Sequence, residues 1–155
     1  MSGLRVVRDY PHPPWKVWRA LTEPMLMVLW GMRPEGFSPI VGTRFRLVAK
    51  PNPNWRGFVE CEVLEAREPS LLRYAWDGDG KGPPTELSYR LEAVTGGTRL
   101  TVEHTGFRGA GGFVLAKLIM APGWKKMAGT SFPAVLAELD DEGRLRAGST
   151  LRPMF

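Results

Sequence analysis

The chain has 155 residues, 43% hydrophobic and 24% charged, which fits one globular domain large enough to bury a core without disulfide or metal staples, rather than a disordered or membrane chain. Its single cysteine, Cys61, cannot form an internal bridge, and no Cys-x-x-Cys pair is present for zinc. The net charge of +5 raises nucleic acid as a partner, but the arginines are dispersed among acids and Lys125-Lys126 is the only adjacent basic pair, so no nucleic-acid partner is expected.

Residues 4–10 read as a first strand, closed by Pro11, Pro13 and Pro14, which disfavour helix in the residues before them. Pro14 then suits the start of a short helix over 15–21. Thr22 and Pro24 open a second, running to about Trp30. Residues 31–42 are punctuated by Gly and Pro and read as a loop. Over 43–50, Phe45 and Leu47 alternate with Arg44 and Arg46, and Pro51-Asn52-Pro53-Asn54 makes the turn. The clearest strand follows, with Val59, Cys61 and Val63 opposed to Glu60 and Glu62.

Leu72, Tyr74 and Trp76 share a face of the next strand, and residues 77–84 form a polar connection. Leu87, Tyr89 and Leu91 face one way on residues 85–94, and Gly96-Gly97 turns a hairpin into 98–105, where Leu100, Val102 and His104 align. Two helical stretches close the chain. Residues 113–120 are apolar almost all round; from Trp124, a stripe at 3.6 residues per turn includes Met127, Ala128, Ser131, Phe132 and Val135. Pro133 should collide with the carbonyl of Gly129, so a kink or two abutting helices are expected there. The expected organisation is one α+β domain over 1–140, with six antiparallel strands and two short helices between strands 1 and 2, then a loose C-terminal tail over 141–155.

No leader is expected, because Arg5 and Arg8 interrupt the first residues. The longest apolar stretch, 113–122, contains Lys117 and falls short of the roughly 20 residues that span a bilayer. A cytoplasmic protein without membrane insertion is the expectation.

Five segments resemble a known family in order: Val41-Gly42-Thr43-Arg44-Phe45-Arg46, Gly57-Phe58-Val59-Glu60-Cys61-Glu62-Val63-Leu64-Glu65, Leu72-Arg73-Tyr74-Ala75-Trp76, Gly97-Thr98-Arg99-Leu100-Thr101-Val102-Glu103-His104-Thr105-Gly106-Phe107, and Gly123-Trp124. Together they are similar to the activator-of-Hsp90-ATPase-homologue-like branch of the START-like (SRPBCC) superfamily. The resemblance implies a helix-grip fold, in which a curved antiparallel sheet wraps a long C-terminal helix and leaves a pocket. It assigns no reaction. The stretch from Gly109 to Met120 looks longer than the family's usual connection and is read as a lid or a homodimer contact through residues 113–120. Pro133 is a second departure.

Motifs for other chemistries are weak. Gly109-Ala110-Gly111 imitates a dinucleotide loop, but Val114 stands where the third glycine would fall and the preceding hairpin is antiparallel. Two distant histidines and one cysteine do not make a metal site, and no cofactor is called for. There is no Gly-x-Ser-x-Gly elbow. Glu60 and Glu62 lie on the face expected to meet water, and Cys61 reads as a small buried hydrophobe. His104 is the histidine expected to point inward, with Tyr74 or Tyr89 as its hydrogen-bonding partner.

Three functional readings follow, in order. The first is a non-enzymatic binder of a small hydrophobic molecule or lipid, held between Trp30 with the sheet face (Phe45, Leu47, Val59, Cys61, Leu72, Tyr74, Trp76, Leu87, Tyr89, Leu91, Val102, His104) and the helix face (Trp124, Met127, Ala128, Ser131, Val135). The second is a cyclase-, hydrolase- or lyase-like enzyme using the same pocket. The third is a co-chaperone-like interaction module acting through residues 113–120.

Overall fold

The computed structural model describes residues 2–155, the side chains of Ser2 and Phe113 excepted. Strand β1 (Ser2–Tyr10) leads into helices α1 (Pro14–Thr22) and α2 (Pro24–Trp30), each with a proline in its first turn, where the missing N–H has no intrahelical partner to lose. Six more strands follow: β2 (Arg33–Glu35), β3 (Arg44–Val48), β4 (Phe58–Arg67), β5 (Leu71–Asp77), β6 (Thr85–Val94) and β7 (Gly97–Phe107). They form one antiparallel sheet in the order β1-β7-β6-β5-β4-β3-β2, so the first strand pairs with the last.

The sheet has seven strands where the sequence predicts six. The extra one, β2, pairs with β3 for only three residues at the sheet's edge, where Pro34 is tolerated because a proline there can face away from the ladder. Its shortness and its proline are what make it read as loop.

Period-two alternation and register together build the inner face. Cross-strand partners Phe45↔Cys61, Cys61↔Trp76, Tyr74↔Leu87, Leu87↔His104 and Tyr89↔Val102 bring the buried members of five strands to one side. Arg44 with Glu62, Arg46 with Glu60 and Arg73 with Glu86 pair on the other side. Such exposed pairs contribute about 0–1 kcal/mol each, so they mark the solvent face more than they stabilise it. At the β1–β7 junction, a Cβ on Gly97 would lie 1.9 Å from the Tyr10 carbonyl oxygen, so only glycine permits this pairing.

The C-terminal helix is one continuous rod. It comprises α3 (Gly109–Val114), α4 (Ala121–Lys126) and α5 (Phe132–Ala137), joined by π-helical turns over Leu115–Met120 and Met127–Ser131. Of the two outcomes expected at Pro133, a kink or two abutting helices, the division into two helices does not occur: Ser131 (φ −69°, ψ −45°) and Phe132 (φ −69°, ψ −48°) both stay helical. Each π turn lies just before a proline, Pro122 or Pro133. A π turn shifts the ladder from i−4 to i−5 bonding, which moves the carbonyls a proline ring would strike and absorbs its missing bond. The rod also starts at Gly109, earlier than the expected 113.

Residues 138–155 bond back to the domain at both ends. Leu139 bridges Leu145, Arg146 N–H donates to the Glu138 carbonyl at 2.8 Å, and Met154 N–H donates to the Val28 carbonyl of α2 at 3.0 Å. No helix among the described residues is long and apolar enough to cross a membrane.

Candidate ligand cavity

Between the sheet and the rod lies a half-open cavity of about 1010 Å³. Tyr74, Trp76, Tyr89, Val59 and Leu47 supply its sheet side, Trp30 its α2 side, and Trp124, Met127 and Ser131 its rod side. Its mouth is framed by Trp55, whose Nε1–H donates to the Gly78 carbonyl at 2.6 Å and so ties the β3–β4 loop to the β5–β6 loop.

The remaining residues proposed from sequence are placed behind this surface. Phe45, Cys61, Leu72, Leu87, Leu91, Val102, His104, Ala128 and Val135 are all buried but do not line the cavity. The inner face is longer than the void, and α1 covers part of it by packing against β6, β7 and α5. The wall also includes residues the sequence reading omitted, among them Met27, Trp55, Thr85, Leu115, Ile119 and Phe155. Thr85 was findable, since it continues the alternation of Leu87, Tyr89 and Leu91. Trp55 and Phe155 lie on a loop and the chain end, where no period marks a face.

The partners expected for His104 were Tyr74 or Tyr89; the structure gives it Thr85 and Trp124 instead. Trp124 Nε1–H donates to His104 Nδ1 at 3.1 Å, and an indole can only donate. His104 Nδ1 is therefore unprotonated. Nε2 carries the proton and donates it to Thr85 Oγ1 at 2.7 Å, and Thr85 passes its own hydrogen to the Trp76 carbonyl at 3.2 Å. Both ring nitrogens are occupied and the ring is fully buried, stacked edgewise against Trp76 and Trp124. Burial lowers its pKa to about 4.

This shift makes stability depend on pH. An unfolded histidine binds its proton below about pH 6.5, while folded His104 resists it down to about pH 4, so the unfolded state binds more protons in that window and folding weakens as pH falls. The expected loss is about 3 kcal/mol, measured as urea-unfolding free energies at the two ends of the window. Burial and then Lys16 lower the pKa of His12 too, so it acts in the same direction.

Tyr74 and Tyr89 meet hydroxyl to hydroxyl at 3.4 Å on the cavity wall, and burial raises both phenol pKa values. Both stay protonated at neutral pH, so neither is a base; one hydroxyl hydrogen joins the pair and the other is left for a ligand acceptor. Burial, then Asp77 and Glu60, raise the Cys61 thiol in the same way, which leaves it unreactive. No group of three or more His, Cys, Asp or Glu among the described residues is arranged to hold a metal.

An antiparallel sheet closed over a terminal rod, with an aromatic cavity between them, defines a helix-grip protein. The chain belongs to the Activator of Hsp90 ATPase homolog 1-like family, whose description it matches over residues 11–137. It is similar to the solved structure of protein MLL2253 from Mesorhizobium loti, with 30% identity, a TM-score of 0.72, and coverage of 90% of this chain and 99% of that one. A protein from Rhodobacter sphaeroides shares 26% identity and a TM-score of 0.74, covering 90% and 95%. CalU16 from Micromonospora echinospora, at 24% identity and a TM-score of 0.69 over 94% of this chain and 69% of its own, shares the fold. No curated protein matches the chain.

Proposed function

We propose that this protein binds a small hydrophobic molecule in the cavity between the sheet and the rod. The observation that carries the reading is the cavity itself: its volume lies at the upper end of drug-sized sites, and its wall is aromatic and aliphatic with a few polar atoms. Trp30, Tyr74, Trp76, Tyr89 and Trp124 supply rigid apolar surface, and the two phenols and Ser131 orient a polar group on the ligand. Family membership supports the cavity architecture and assigns no ligand.

The enzymatic alternative used His104 or a tyrosine as acid or base. With both nitrogens of His104 occupied behind the wall and both phenols held protonated, no base faces the cavity from this set, and binding without turnover is the better-supported reading. The interaction-module and homodimer readings rest on the exposed side chains of Val114, Leu118 and Ile119.

Native mass spectrometry of the purified protein, together with titration of the hydrophobic dye anilinonaphthalene sulfonate, tests the proposal. A bound small molecule or saturable dye binding is expected. Ser131→Phe fills the cavity from a half-buried position on the rod and should weaken dye binding by about tenfold or more while the protein stays folded. A bare protein mass together with no dye binding would falsify it.

A further inference from the structure

The outer face of the rod combines two properties that are rarely left together in water. Leu118 is 71% exposed, Ile119 62%, Val114 47% and Leu115 38%. Arg108, Lys117, Lys125 and Lys126 are the only charged side chains between residues 108 and 137, so this stretch carries four of the chain's five net positive charges. All four are exposed, and none forms an ion pair among the described residues.

The helical rows interleave them. Val114 and Leu118 run on toward Lys125, and Leu115 and Ile119 toward Lys126, at spacings of four and then seven residues that keep one side of a helix. Ala116, Ala121, Trp124 and Met127 take the opposite, buried side. Across the cavity mouth, Lys50 and Lys81 add two more cations. Asp77 and Asp79 balance those two in charge, so the uncompensated cations are the four on the rod.

We propose that this face docks onto an anionic lipid bilayer surface, with Val114, Leu118 and Ile119 entering the headgroup boundary and the cations binding lipid phosphates. Adsorption in the plane of the interface needs no spanning helix, only a strip that is apolar at its centre and basic at its edges. Charge decides among the occupants. A second copy of this chain would set four uncompensated cations against four more, whereas an anionic surface neutralises all of them. Nucleic acid would satisfy the cations and leave Leu118 and Ile119 in water. Leu115 and Ile119 also line the cavity, so docking would bring its mouth to the bilayer. The docking itself does not depend on what the cavity holds.

The test is co-sedimentation of the full chain with large unilamellar vesicles of phosphatidylcholine alone, or with about one-third phosphatidylglycerol. Binding to the anionic vesicles is expected to exceed binding to the neutral ones by about tenfold or more, and to fall in 1 M salt, where the screening length drops to about 3 Å. Lys125→Glu with Lys126→Glu should weaken it at least about 25-fold, from about fivefold per cation. Leu118→Ser with Ile119→Ser should weaken it about tenfold. All four positions are exposed, so both double variants should keep the wild-type circular dichroism. Absence of binding to anionic vesicles overturns the proposal, as does binding insensitive to both variants. So does a stable dimer in light scattering that Leu118→Ser/Ile119→Ser dissolves, or duplex DNA binding that the charge reversal removes and the serine pair leaves intact.

Discussion

Replacing His104 by alanine is expected to lower the unfolding free energy by about 4 kcal/mol. Two contributions add. Trp124 Nε1–H, on a buried indole, loses its acceptor, and an orphaned buried polar group costs about 1–3 kcal/mol; half-buried Thr85 Oγ1 loses a donor but keeps its bond to the Trp76 carbonyl. The missing ring also leaves a void among Trp76, Phe107 and Trp124, whose rings lie 4.7–6.0 Å from the imidazole centroid. A domain of this size is stable by about 5–15 kcal/mol in all, so the variant should melt about 10 °C lower or more. It should also lose most of the acid sensitivity between about pH 6.5 and pH 4, because the group that resists protonation is gone. Urea titrations of both proteins at the two pH values separate this from a general loss of packing. Unchanged stability, or an unchanged pH slope in a destabilised variant, would mean the imidazole is not the buried neutral group described.

Phe132→Ala should cost about 3–5 kcal/mol. Phe132 is fully buried on α5, with its ring centroid 5.5 Å from those of both Tyr10 and Trp30. It therefore pins the rod to β1 and to α2 at once. Tyr10 reinforces the grip from the other side, its hydroxyl donating to the Ala128 carbonyl at 2.5 Å. Trp30 is itself held by its Nε1–H donating to the Ala20 carbonyl at 2.8 Å, and it forms part of the cavity wall. Loss of Phe132 should thus loosen the wall as well as the fold. Hydrogen exchange is the sensitive readout: protection over α2 and α5 should fall together, while the β4–β5 pairing keeps its protection until global unfolding. Loss of protection confined to α5 would contradict the shared anchor.

The sheet was legible strand by strand because alternation is a property of the backbone. Val59, Cys61 and Val63 must point one way and Glu60 and Glu62 the other in any strand, whatever lies across from them. β2 escaped because three residues containing Pro34 are too few to show a period. The continuity of the rod escaped for a different reason. Local rules place a clash at Pro133, and the π turn that removes it is a cooperative adjustment of the preceding hydrogen bonds, with no residue signature of its own. The anchoring of residues 138–155 rests on backbone bonds, to which composition is blind.

The candidate site divides along the same line. That Tyr74, Trp76, Tyr89, His104, Trp124 and Met127 would be drawn to one interior follows from hydrophobic periodicity alone. Which of them border empty space, and which are sealed behind it, is a matter of how much volume α1, α2 and the rod deliver to each part of the inner face. A void is the difference between large quantities contributed by residues far apart in the chain, and no local pattern encodes that difference. The protonation state of His104 is equally non-local, because the indole that dictates its tautomer lies twenty positions away and arrives only when the rod docks.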